Sequence, residues 1–69
     1  MLFQVKKIKN RITLDDGTVK IQGDYIGEYE AEVFPGIKKE IKLKNRKYTV
    51  VSIEKHTEEF GNKLVLNVE

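Results

Sequence analysis

The segment RITLDDGTVKIQ, residues 11 to 22, constrains the fold more than any other part of the chain. Two alternating runs flank Asp16-Gly17, a dipeptide that suits a two-residue type I′ turn because both central residues must take positive φ. With Asp15 and Thr18 beside that turn, Leu14 is expected opposite Val19 and Ile12 opposite Ile21. The four apolar side chains then share one face, and Arg11, Thr13, Lys20 and Gln22 take the other. Turn chemistry and side-chain pattern agree, as they do in sequences that encode a hairpin.

The remainder reads in the same way. In YIGEYEAEVF, Tyr25, Gly27, Tyr29, Ala31 and Val33 alternate with Glu28, Glu30 and Glu32, the period of a half-buried strand. Gly23-Asp24 and Pro35-Gly36 bound it, and the small residues at 27 and 31 predict a bend or a close neighbour. EIKLKNRKYTVVSIEKH predicts a second hairpin around Asn45-Arg46, with Leu43 opposite Tyr48 and Ile41 opposite Val50. Arg suits the second position of a type I′ turn poorly, so a slightly longer loop is the alternative. The Glu40 to Lys44 spacing also admits a helical turn over 37 to 44, but the alternation favours a strand.

The last run, KLVLNVE, puts Leu64, Leu66 and Val68 on one face, and a four-residue loop over 59 to 62 brings Val68 to Ile53. Residues 47 to 55 must then serve two neighbours, Tyr48 and Val50 on one side and Val51 and Ile53 on the other. That predicts a bulge near Val50-Val51 in a tightly coiled sheet. The expectation is a single all-β domain over residues 1–69, a five- to six-stranded antiparallel barrel of SH3-like or OB-like form, with a small β-sandwich as the alternative.

Size and composition narrow the function classes. A chain of 69 residues buries only about 60% of the surface its unfolded form exposes, and with no Cys it has no disulfide or thiolate metal site to staple it. One His, His56, argues against structural zinc. No cofactor is expected, and Asp15-Asp16-Gly17 is explained by its turn and lacks the ligands of a calcium loop. No apolar run suits a signal peptide or a bilayer span, so no membrane partner is expected, and the location expected is cytoplasmic, or the virion if the chain is phage-derived. Ser52 and His56 stand in no motif with a third orienting group, so an enzyme is not expected, nor is a small-molecule substrate.

Charge is the remaining signal. The net value of +2 is modest, but its distribution is blocked: residues 1 to 11 carry +4, residues 24 to 34 carry −4 and residues 38 to 47 carry +5. If the acidic strand pairs with the strand over 40 to 44, Glu28, Glu30 and Glu32 face Lys42 and Lys44 in a cross-strand ladder. If the two blocks stay apart, Glu28, Glu30 and Glu32, with Lys42, Lys44, Arg46 and Lys47, become docking surfaces for a protein partner or another copy of the chain. A nucleic-acid partner is the alternative. It would use Lys6, Lys7, Lys9 and Arg11 with Lys38, Lys39, Lys42, Lys44, Arg46 and Lys47. That reading asks for exposed aromatics beside the bases, whereas Tyr25, Tyr29 and Tyr48 all fall on the apolar parity of their strands.

The C-terminal half, through Ile41, Leu43, Tyr48, Val50, Ile53, Gly61, Leu64 and Leu66, resembles the closing segment of tailed-phage head-closure or head–tail joining proteins. The resemblance covers about 30 residues of EIKLKNRKYTVVSIEKHTEEFGNKLVLNVE. It implies a small β-barrel that assembles with other subunits and carries no catalytic residues. The function expected is a non-enzymatic protein–protein interaction module, a phage or prophage structural or accessory assembly protein.

Overall fold

The computed structural model describes residues 1–58 and 61–69. Five strands and, among the described residues, no helix make up the chain: β1 (Leu2–Thr13), β2 (Val19–Glu30), β3 (Glu40–Leu43), β4 (Arg46–Glu58) and β5 (Gly61–Val68). They form one curled sheet in the order β2-β1-β5-β4-β3. The all-β, five-stranded small-barrel expectation holds. One pair departs from an all-antiparallel arrangement: β1 runs parallel to β5, with Val5 beside Leu66 and Lys7 beside Val68. The other neighbours are antiparallel. A parallel pair needs a long connection, and here three other strands lie between β1 and β5 in the chain.

The core lies on the inner face. Phe3, Val5, Ile41, Val50, Leu66 and Val68 are buried together, with Ile26, Tyr29, Ala31, Leu43, Tyr48, Ile53 and Leu64 packed around them. Burying a side chain of this size stabilises by about 1.5–3 kcal/mol, so these few positions carry the fold. The N-terminal segment belongs to this core: Phe3 and Val5 face inward, and Met1 and Ala31 exchange hydrogen bonds of 2.7 and 2.9 Å.

Bulges set the shape. On β2, Ile26 is the extra residue between Val5↔Gly27 and Lys6↔Tyr25, and on β1, Lys9 is the extra residue between Ile8↔Gly23 and Asn10↔Gln22. Each extra residue reverses the side-chain alternation beyond it. Tyr25 therefore faces solvent, whereas Ile26, Tyr29 and Ala31 pack inward. The single apolar face expected for residues 25 to 33 is thus divided, and Val33 lies exposed in the loop that follows β2. β2 also continues through Gly23-Asp24, which pairs with Ile8 and Lys7 rather than breaking the strand.

Each expected hairpin forms, with a corrected register. In the first, Gly17 N–H donates to the Leu14 carbonyl at 2.9 Å and Leu14 N–H to the Thr18 carbonyl at 2.8 Å. Gly17 alone in that turn has positive φ (+87°), which makes a three-residue loop with a glycine bulge in place of a type I′ turn. Thr13 then pairs with Val19, Ile12 with Lys20 and Arg11 with Ile21, so the expected apolar quartet is not formed. Leu14 and Val19 stand exposed instead. Asp16 supports the loop by accepting a 2.9 Å bond from Thr18 N–H, which holds its carboxyl below the usual range.

The β3–β4 turn is the type I′ form moved one residue earlier: Lys44 and Asn45 have φ of 51° and 65°. Asn accepts this conformation better than Arg, and Ile41 consequently pairs with Tyr48 and Leu43 with Arg46. Between β4 and β5, Ile53 pairs with Leu66 and Val50 with Val68, two residues from the expected match of Ile53 with Val68. Gly61 and Asn62 belong to β5, and the rest of the four-residue loop expected over 59 to 62 lies outside the described residues. The expected bulge is present: Val51 is the extra residue between Val50↔Val68 and Ser52↔Asn67.

Candidate interaction surfaces

Strands β2 and β3 occupy the two edges of the sheet, so the acidic and basic strands do not pair. Glu30 lies opposite Leu2 and Glu28 opposite Gln4, not opposite lysines. The cross-strand ladder expected if they paired is thereby overturned: β1 has taken the pairing edge of β2, and β4 that of β3. Curling nevertheless brings the edges together at one point. A Cβ on Gly27 would lie 3.3 Å from Leu43 Cδ2 and 3.6 Å from Lys44 Cε. The two edges thus meet there in a side-chain seam, without a backbone ladder, and the sheet stays a curled half-barrel.

Beside this seam the charges are left unmatched. Glu28, Glu30 and Glu32 are exposed on one side, and Lys42, Lys44, Arg46 and Lys47 on the other. None of the seven takes part in an ion pair among the described residues. Lys42 lies directly opposite Lys47, a like-charge pair that costs stability unless a partner offsets it. Lys38 and Lys39 continue the basic surface at the start of β3. Lys38 N–H donates to the Val50 carbonyl at 2.7 Å and Val50 N–H to the Lys39 carbonyl at 2.8 Å, which ties this stretch to β4.

The N-terminal basic block does not join them. Lys9 pairs with Asp24 at 2.8 Å, and that partner's hydrogen bond and charge raise the Lys9 pKa. Arg11 lies 3.9 Å from Glu69. Lys7 is exposed opposite Asp24, whereas Lys6 is buried, 8% exposed, against Glu54 at 3.6 Å. The ten basic residues proposed for nucleic acid therefore divide into a group at 38–47 without ion pairs among the described residues and a group on β1 in which Lys6, Lys9 and Arg11 have acidic partners and Lys7 stands exposed. The tyrosines divide too. Tyr29 and Tyr48 pack against the core, and Tyr25 is exposed but covered by Lys63, whose ammonium sits 4.7 Å from the ring centroid.

An apolar surface continues from the seam along residues 31–39, the loop joining the acidic strand to the basic one. Val33 is 72% exposed and Ile37 52%, and Phe34 stays half-open while its ring meets Phe3 edge-on at 5.5 Å. Met1 and Leu2 are exposed beside the same loop, which the Met1–Ala31 bonds anchor. Clustered exposed apolar side chains mark protein contact surfaces.

One polar cluster escaped the sequence reading. Ser52, Glu54 and His56 alternate on the outer face of β4, opposite Asn67, Val65 and Lys63. The fully buried Asn67 amide donates to Ser52 Oγ at 2.9 Å and to Glu54 Oε1 at 3.0 Å. His56 Nε2 lies 2.9 Å from Glu54 Oε2, and because a carboxylate only accepts, the proton sits on that nitrogen. Burial alone would raise the Glu54 pKa, but the bonds from His56 and Asn67 and the Lys6 charge outweigh it and leave it lowered. Ser52 and His56 are four residues apart along the strand, about 13 Å. No nucleophile–base contact forms between them, and the cluster orients a histidine without giving it a serine to activate. The period-two spacing of Ser52, Glu54 and His56 was visible in the sequence; the partners from β1 and β5 were not. Among the described residues, no group of His, Asp and Glu is arranged to hold a metal ion, and no helix is long and apolar enough to cross a membrane.

Comparison of the chain with protein-family models, with curated proteins and with solved structures finds no match.

Proposed function

We propose that the chain is a non-enzymatic protein–protein interaction module that docks through the seam between β2 and β3, with a second copy of itself as the partner. The observation that carries this reading is the seam itself: exposed acids on β2 lie beside exposed bases on the β3–β4 hairpin, unpaired with each other. Adjacent patches of opposite sign are self-complementary under a two-fold axis, because the acidic patch of each copy meets the basic patch of the other. The exposed Val33, Phe34 and Ile37 supply apolar area, which charge complementarity alone does not. An assembly subunit of the tailed-phage head-closure type is the finer form of the proposal. Its support is the run from Ile41 to Leu66 that resembles those proteins, which contains the basic hairpin.

A nucleic-acid partner is the second reading, favoured by one observation, the like-charged Lys42–Lys47 pair on the open face of the hairpin. Sedimentation of the purified protein with labelled mixed-sequence DNA and RNA, at low and physiological salt, separates the two. A species larger than the monomer that ignores nucleic acid supports the first. A monomer that shifts nucleic acid with a steep salt dependence supports the second.

A further inference from the structure

The distal half of the β1–β2 hairpin and the outer face of the sheet border an open cleft of about 410 Å³. This falls within the range of small-molecule sites, about 300–1,000 Å³. The hairpin supplies an apolar wall of Leu14, Val19, Ile21 and Tyr25, and the sheet supplies Lys6, Glu54 and His56. Leu14, Val19 and Tyr25 are each about half exposed, so among the described residues the wall is left open apart from Lys63 over the Tyr25 ring.

The polar end is asymmetric. Glu54 already receives Asn67 and His56 at 3.0 and 2.9 Å. Lys6 is far less satisfied: its ammonium has three N–H donors, and among the described residues its contacts are one 3.4 Å bond to the Ile21 carbonyl and the 3.6 Å approach to Glu54. A buried ammonium with spare donors favours an anionic acceptor, and Lys20 at the cleft adds a second positive charge.

From this geometry we infer that the cleft binds an amphipathic monocarboxylate, with its apolar body along Leu14, Val19, Ile21 and Tyr25 and its carboxylate on Lys6. The site is separate from the seam and does not depend on the proposed self-association.

The test is a titration of the whole chain with decanoate below its micelle concentration, followed by amide chemical shifts, with decanol as the uncharged control. The expected result is saturable shifts around Leu14, Val19, Tyr25 and His56. Decanol should bind about tenfold or more weakly, the factor that a charge-assisted hydrogen bond contributes. Lys6→Met should remove that preference and leave decanol binding unchanged. Leu14→Asp, at an exposed position where folding is not at stake, should weaken both ligands. Equal affinity for decanoate and decanol, absence of saturable shifts, or wild-type binding by Leu14→Asp would each overturn the inference.

Discussion

Asp15→Pro and Gly17→Ala test the hairpin register that shapes the cleft. In the observed loop Asp15 is the first central residue of the Leu14–Gly17 turn. The loop's hydrogen bonds run from Gly17 N–H to Leu14 and from Leu14 N–H to Thr18, so the Asp15 N–H is not among them. Proline fixes φ near the value this position of a type I turn requires, and it removes freedom mainly from the unfolded chain. Asp15→Pro should therefore stabilise by about 0.4–1 kcal/mol. Gly17 has φ of +87°, and a Cβ there would meet nothing within 4 Å. The cost of Gly17→Ala is thus the left-handed conformation alone, about 1–2 kcal/mol. With a urea m-value of about 1 kcal/mol/M for a small chain, the midpoint should rise by about 0.4–1 M for the first variant and fall by about 1–2 M for the second. A two-residue type I′ turn at Asp16-Gly17 predicts otherwise. There Asp15 N–H would bond Thr18, proline would destabilise, and Asp16→Gly would stabilise by relieving a positive φ. A lowered midpoint for Asp15→Pro together with a raised one for Asp16→Gly would refute the register.

Other consequences are open to direct measurement. Leu66 is fully buried in the centre of the core, so Leu66→Ala should cost about 3 kcal/mol, a large part of the roughly 3–10 kcal/mol available to a chain of this length; chemical denaturation reads it. Gly27→Ala should cost about 1–3 kcal/mol, because Gly27 has φ of +155° and its Cβ would press on Leu43 at 3.3 Å; Leu43→Ala in the same chain should recover part of the loss. The lowered pKa of Glu54 means that its cluster stabilises the fold above the ordinary glutamate pKa of about 4.3 and that this contribution is lost as pH falls below it. The melting-temperature gap between wild type and Glu54→Gln should accordingly be present at pH 7 and shrink toward pH 3. A gap independent of pH would contradict that assignment.

What the sequence disclosed and what it hid follow from the range of the forces involved. Alternation and turn residues act over a few positions, so the all-β class, the existence of each hairpin and the bulge at Val51 were legible. Register was not, because a loop one residue longer or earlier satisfies the same local pattern: Gly17 serves either turn form, and Lys44-Asn45 replaces Asn45-Arg46 without changing which side chains face inward. β1 was hidden over its first half because the exposed Lys7 breaks the alternation after Phe3 and Val5, and the burial of Lys6 on the outer face follows only from the approach of Glu54. The edge positions of β2 and β3 depend on the parallel β1–β5 pair, which no local pattern encodes. That pair separates the acidic from the basic strand and leaves Glu28, Glu30, Lys42 and Lys47 without ion-pair partners among the described residues.

Sedimentation velocity on paired charge reversals tests that arrangement most directly, using wild type, Glu28→Lys with Glu30→Lys, Lys42→Glu with Lys47→Glu, and an equal mixture of the two double variants. Wild type should sediment above the monomer at high concentration. Each double variant alone should sediment as a monomer, because the facing patches would then no longer carry opposite charge. The mixture should recover the larger species, since one variant carries an excess of bases at the seam and the other an excess of acids. Identical sedimentation of all four samples would contradict the account, showing that the charges beside the seam do not bring copies of the chain together.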